Sequence, residues 1–299
     1  METSAPFLFR CLAGLSIWIA LAWMSLAVAA PPAMVDQVQA PAWLERGGGI
    51  RPLAPGDPVV AGDAVRTGPG GRVYLALAEG SLVRLGASAH MDFPRIEATP
   101  SLFRGVFEVA AGAFRFTTGL VSKARPREVA IRVGTATVGI RGTDVWGKRD
   151  AAGDFVVLIE GHIEMTPVTG QPFAMARPME AYSAPVAGNP ALVPVTAEEL
   201  QRRAQETDVV PGVPTLIRNG PWALGFGEFG TEAEALAAYD KVQHAGYPAR
   251  LRIGGDALAR RYTLVLPGFA SEADARAVAG ALKGITGLEG VPLRAAAAR

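Results

Sequence analysis

The chain has 299 residues, 49% of them hydrophobic and 19% charged, which is enough apolar material for about two packed domains and excludes wholesale disorder. Lys and Arg number 29 against 28 Asp and Glu, so no global charge draws the chain to nucleic acid. One cysteine, Cys11, excludes an intramolecular disulfide, three histidines leave little for a zinc site, and no metal or other cofactor is expected.

The first thirty residues have the pattern of an export signal. Arg10 ends a short N-terminal region with one positive side chain, and Cys11 to Ala30 carries no charge. Ala27-Val28-Ala29 fits the small-x-small rule for signal peptidase, which predicts a signal peptide over residues 1–29. The alternative is an uncleaved anchor, because about 20 apolar residues span a bilayer. On either reading the remainder lies outside the cytoplasm.

Residues 42–184 alternate short β-rich runs with Gly/Pro turns, and no stretch has a helical period. Strands are expected at Ala64–Arg66, Arg72–Ala78, Ser81–Leu85, Phe103–Val109, Ala113–Thr117, Val129–Val133, Phe155–Ile159 and Ile163–Met165. Glu79-Gly80 is a hairpin signal. The reading is an all-β sandwich or roll. Prolines then crowd residues 185–219, where one polar segment, Thr196 to Thr207, carries a Thr-x-x-Glu cap and predicts a short helix. This stretch reads as a linker, with regions 42–184 and 220–295 expected to unfold independently.

From residue 220 the pattern changes to a repeat of offset 40. Phe229-Gly230-Thr231-Glu232-Ala233-Glu234-Ala235 matches Phe269-Ala270-Ser271-Glu272-Ala273-Asp274-Ala275. Each copy predicts strand, helix, strand: Trp222–Phe226, a helix ending at Gly246, and Ala249–Ile253; then Tyr262–Leu266, a helix ending at Gly284, and Leu288–Leu293. Leu236, Tyr239 and Val242 are expected on the buried side of the first helix, and Ala275, Val278, Ala279 and Leu282 on that of the second. The product is an α+β unit of order βαββαβ, a four-stranded sheet with two helices on one face.

Two resemblances follow from particular stretches. Gly62 to Gly68, Arg72 to Leu85, Val133 to Asp144 and Glu160 to Ile163 resemble the FecR-like domain family. That resemblance implies an extracytoplasmic, non-catalytic β domain that senses or binds. The family's membrane regulators carry a cytoplasmic anti-sigma part, for which ten residues before the apolar run leave no room. Trp222 to Phe229 and Tyr262 to Phe269 resemble the SPOR domain, which implies binding of peptidoglycan, in particular denuded glycan strands, in the cell envelope and at cell division. The family usually has Gln where Gly225 stands and Gly-Pro where Pro267-Gly268 stands.

Strand parity supplies a candidate surface. If Leu224, Phe226, Leu251, Ile253, Leu264 and Leu266 meet the helices, then Gly225, Arg250, Arg252, Thr263 and Val265 share the opposite, open face. Arginine and threonine there can donate hydrogen bonds to sugar or lactyl oxygens. Other conspicuous motifs have plainer readings. Gly225-x-Gly227-x-x-Gly230 fits a dinucleotide fingerprint but leaves too little chain after it, and its repeat copy lacks the glycines. Arg141-Gly142-Thr143-Asp144 reads as a tight strand connection, with Arg141 paired to a nearby acid and Gly142 in a turn without room for a Cβ. His162 reads as an exposed hairpin residue. Asp57, Asp63 and Gly47-Gly48-Gly49 read as turns. No nucleophile or paired acid has a supporting motif, so no enzyme is expected and no catalytic residue is assigned.

The expectation is a periplasmic, non-enzymatic protein that binds peptidoglycan through residues 220–295 and offers an envelope partner a binding or scaffold surface over 42–184. The alternative is a membrane-anchored sensor or regulator held by residues 11–30.

Overall fold

The computed structural model describes residues 30–119, 126–255 and 260–295. The predicted signal segment, residues 1–29, lies outside the described residues. The described residues from Pro31 onward form one compact unit.

The strands in chain order are β1 (Ala33–Gln39), β2 (Ala42–Arg46), β3 (Gly49–Pro52), β4 (Pro58–Val59), β5 (Asp63–Thr67), β6 (Arg72–Leu77), β7 (Leu82–Leu85), β8 (His90–Ala98), β9 (Phe103–Thr117), β10 (Arg127–Val133) and β11 (Ala136–Ile140). They continue with β12 (Asp144–Asp150), β13 (Gly153–Glu160), β14 (Ile163–Pro167), β15 (Phe173–Met175), β16 (Glu180–Pro185) and β17 (Ala191–Pro194). Helix α1 (Ala197–Gln205) and the two-residue β18 (Leu216–Ile217) follow. The C-terminal unit is β19 (Trp222–Phe229), α2 (Glu232–His244), β20 (Arg250–Gly254), β21 (Arg261–Phe269), α3 (Glu272–Thr286) and β22 (Val291–Arg294). The molecule therefore has an N-terminal all-β domain and a C-terminal α+β domain of the expected βαββαβ order.

The β domain is two sheets that share one strand. Its first sheet runs β3-β2-β5-β8-β9-β10-β11-β14-β15. Its second runs β17-β16-β13-β12-β9-β7-β6-β1. The two strands expected at Phe103–Val109 and Ala113–Thr117 are the two ends of one strand, β9, which pairs in the first sheet before Gly112 and in the second after it. Gly112 has a φ of 80°, open to glycine without cost, and a Cβ there would strike the backbone of Ala89. Phe93, Phe107, Phe114 and Phe116 fill the space between the sheets. The Phe93 and Phe107 rings meet edge to face at 5.3 Å.

The Pro-rich stretch 185–219 is a packed strap, not the loose tether its composition suggests. Val195 and Leu200 lie over Trp146, Val157 and Ala181 on the outer side of the second sheet. The Arg203 guanidinium stacks on Phe155 at 3.8 Å. Farther along, the buried Gln39 donates to the Val210 and Val213 carbonyls and to Thr215 Oγ1, and accepts from Val210 N–H. Proline removes backbone donors but leaves carbonyls, and one long-range glutamine collects those carbonyls. Sequence pattern does not reveal a partner 171 positions away.

β18 then joins the two domains edge to edge. Its Leu216 is opposite Val38 of β1 and Phe269 of β21. The turn after α2 also packs against the β domain: a Cβ on Gly246 would meet Pro41 and Trp43. One apolar core runs through both domains. The basis for expecting independent unfolding, a linker with few contacts, is therefore absent.

In the C-terminal domain both helices lie on one face of β20-β21-β19-β22. Thr231 and Ser271 cap them through hydrogen bonds from Glu234 and Asp274 N–H. Two details depart from expectation. In α2 the buried side is Ala235, Ala238 and Val242, while Leu236 is 43% exposed, because alanines allow the helix to lie close to the sheet. In α3 the expected Ala275, Val278 and Leu282 are buried, but the helix runs through Gly284 and stops at Gly287, whose φ is 73°. Among the described residues no helix is long and apolar enough to cross a membrane.

Candidate functional site: the open face of the C-terminal sheet

Pairing registers place the five candidate residues on one face. Arg250 is opposite Val265, Val265 opposite Gly225, and Gly225 opposite Val291, making a row across all four strands. The next row holds Arg252 and Thr263. Leu224, Leu264 and Leu266 point the other way into the helices and are wholly buried, so the parity argument holds at the sheet centre. It fails at one end: Ile253, expected inward, is 68% exposed, because β20 is an edge strand whose end lies beyond the helices.

The electrostatics of this face are unusual within the molecule. Arg250 and Arg252 are exposed, and among the described residues neither has an ion-pair partner. Most other arginines are tied to an acid, as in Arg46 with Asp63 at 2.6 Å and Arg115 with Asp144 at 2.6 Å. In both of those pairs the carboxylate hydrogen bond holds the guanidinium pKa above its ordinary value. Two exposed cations without partners leave their donors free for a ligand.

Sequence reasoning missed three parts of the face. Val291 and Leu293 of β22 lie on it, 60% and 45% exposed, and form an apolar half beside the arginines. A Cβ on Gly225 would sit 2.5 Å from Leu293 Cδ1, so the space beside Gly225 is taken by Leu293 rather than left as a trough. Parity applied to β22 would have found both residues. Glu228 is the third. A bulge between Gly225 and Glu228 inserts one residue, with Gly227 at φ 89°, and turns Glu228 onto the open face opposite Thr263. Glu228 pairs with Arg261 at 3.3 Å. The bulge also accounts for the glycine spacing that fits a dinucleotide motif.

The remaining motifs occupy structural positions. Arg141 pairs with Glu164 at 3.2 Å, and Gly142 has a φ of 93° in the connection from β11 to β12. Asp144 accepts from Arg115 Nε and Nη2 and from Thr117 Oγ1, pinning the start of β12 to β9. Asp63 accepts from Arg46 and from Val60 N–H. Asp57 accepts from Arg51 and from Ala54 N–H. His162 is exposed, and Gly47 and Gly48 form an exposed turn. Among the described residues no group of three His, Cys, Asp or Glu side chains is gathered as for a metal.

With this geometry in hand, comparison with known families gives the class. Residues 63–164 match the FecR protein family and residues 218–294 match the SPOR domain, so the chain carries a FecR domain followed by a SPOR domain. Both are non-catalytic domain families, and the SPOR domain is a peptidoglycan-binding module of the cell envelope. Two crystal structures of a "putative anti-sigma factor" from Parabacteroides distasonis are similar over 78% of this chain and 99% of theirs, at 14% and 15% identity and a TM-score of 0.40. No curated protein matches the sequence.

Proposed function

We propose that the protein is a non-enzymatic periplasmic component of the cell envelope that binds peptidoglycan glycan strands on the open face of its SPOR domain. The observation that carries this reading is the pair of exposed, unpartnered arginines, Arg250 and Arg252, beside Thr263 on a sheet face with no helix over it. Guanidinium and hydroxyl donors suit the hydroxyl, acetamido and lactyl carboxylate oxygens of denuded glycan, and the exposed Val291 and Leu293 offer apolar surface to the sugar faces, while Val265 lies buried beneath them. The domains would be 42–184 and 220–295, with the strap 185–219 holding them together. Residues 1–29 would direct export and be removed. The FecR domain would present a scaffold to an envelope partner, with cell division a natural setting for denuded strands.

Sedimentation with purified peptidoglycan tests the site. Arg250→Ala with Arg252→Ala is expected to weaken co-sedimentation while the melting curve stays in place, since exposed substitutions shift stability by about 0.5 kcal/mol or less. Binding should also fall with salt, because exposed charges are screened over about 8–10 Å. A double variant that sediments like the parent at low salt would exclude this face.

A second reading, a membrane-anchored FecR-type regulator, is favoured by the uncharged run from Cys11 to Ala30. N-terminal sequencing of the protein from its host separates the two: a start at Ala30 removes the anchor, and an intact Met1 or Glu2 retains it.

A further inference from the structure

The outer face of the first sheet of the FecR domain carries a groove of about 520 Å³. Its floor is one cross-strand row of small side chains, Val106 on β9, Ala130 on β10 and Gly139 on β11, held in line by the pairing registers. Arg95, opposite Val106 on β8, stands at one end. Arg104 and Arg141 stand two strands apart along one side, with Glu128 on the strand between them, and Arg127 completes the lining. Four arginines line the groove, and Glu97, Glu128 and Glu164 pair with three of them, which leaves a modest excess of positive charge at its rim.

We propose that this groove docks an extended acidic segment of a partner protein. The lining pairs are all at the surface: Arg104 meets Glu128 at 2.8 Å, Arg95 meets Glu97 at 3.1 Å and Arg141 meets Glu164 at 3.2 Å. Exposed pairs of this kind contribute little and exchange readily, so an incoming carboxylate can replace the resident one. Reach sets the kind of ligand. Two strands separate Arg104 from Arg141, about 9–10 Å, which lies between the spacings of acids two and four residues apart on one face of an extended peptide, about 7 and 13 Å, and the long arginine and glutamate side chains span the difference. A compact anion would have to draw both guanidiniums away from their acids toward a single point. The small-residue floor admits a backbone close to the sheet, as bulkier side chains there would not. This inference is independent of glycan binding and uses different residues.

The test is fluorescence anisotropy of the full chain with a fluorescein-labelled hexaglutamate peptide at about 0.15 M salt. Arg104→Gln with Arg141→Gln is expected to weaken binding by about tenfold or more, and Arg202→Gln with Arg276→Gln, on exposed helix surfaces, to leave it unchanged. Glu128→Gln removes the competing acid and should tighten binding severalfold, an outcome that a folding defect cannot imitate. Inorganic phosphate at matched ionic strength should not displace the peptide. The proposal is overturned if both arginine pairs weaken binding equally, if phosphate displaces the peptide, or if Glu128→Gln fails to tighten it. That last variant decides the matter alone if the Arg104/Arg141 variant does not fold.

Discussion

The two outward-facing sheet surfaces use arginine in opposite ways. On the FecR domain, Arg95, Arg104, Arg132 and Arg141 each face a glutamate. On the SPOR domain, Arg250 and Arg252 form no ion pair among the described residues; Arg250 shares its row with Val265 and Gly225, and Arg252 shares its row with Thr263 and with Glu228, which is paired to Arg261. A self-paired face keeps its donors occupied and yields them only to a ligand that brings carboxylates of its own. An unpaired face offers donors directly to an oxygen-rich ligand without displacing a resident acid. The difference arises from register: Glu128 is opposite Arg104, whereas Val265 is opposite Arg250.

The comparison assumes that both faces belong to one cooperative body, and the largest expected effect tests that. Gln39→Leu would leave the backbone groups of Val210 and the carbonyl of Val213 without their buried partner. At about 0.5–1.5 kcal/mol for each of the four hydrogen bonds lost, a loss of about 3 kcal/mol is expected. Calorimetry should show both domains shifting together to a lower temperature. Two separated transitions in the parent protein would restore the picture of independent domains.

Next in size is a pair of glycine substitutions, one beside each face. Gly142→Val imposes a branched side chain at φ 93°, and about 1–3 kcal/mol should be lost. An unchanged melting temperature would refute the left-handed turn. Gly225 has no such backbone demand, and only the flexible, half-exposed Leu293 lies in the way. Gly225→Gln should therefore leave the melt nearly unmoved. It should strengthen sedimentation with peptidoglycan by about 0.5–1.5 kcal/mol, the worth of one net hydrogen bond. No gain in binding would mean that displacing Leu293 costs as much as the amide contributes.

The smallest effect concerns alkaline pH. Tyr247 follows the α2 turn that packs against Pro41 and Trp43, and burial raises its phenol pKa above the ordinary 10.0. A raised folded-state pKa means that the folded protein holds this proton more tightly than the unfolded chain. The stability it contributes is complete below the unfolded value and is lost as pH rises from there through the folded value. Tyr247→Phe should flatten the decline in melting temperature above about pH 10. A decline as steep in the variant would assign the alkaline loss to other groups.

Much of this was legible in the residues. The offset-40 repeat and its Thr-x-x-Glu and Ser-x-x-Asp caps located both C-terminal helices, because capping is local and each motif contains its own hydrogen-bond partners. Alternation over Arg72–Ala78 located β6, observed at Arg72–Leu77, for the same reason. It was not applied to β11, whose Ala136, Val138 and Ile140 do alternate inward, and it could not locate β12, where Val145, Trp146 and Gly147 are buried in succession and pairing with neighbouring strands supplies the order. The five residues of the candidate face were within reach because parity is a local property of a strand.

What the sequence by itself determined is this set of local features: the β-rich half, the βαββαβ half, the caps, the turns and the alternation within each strand. Only the tertiary structure decided how they combine. Gln39 gathers a strap 171 positions away, β9 bends at Gly112 to serve two sheets, Leu293 fills the space beside Gly225, and register sets Glu128 opposite Arg104 but Val265 and Thr263 opposite Arg250 and Arg252. These outcomes depend on contacts between residues far apart in the chain. Each is settled by shape and hydrogen bonding after collapse, and neither composition nor periodicity carries that information.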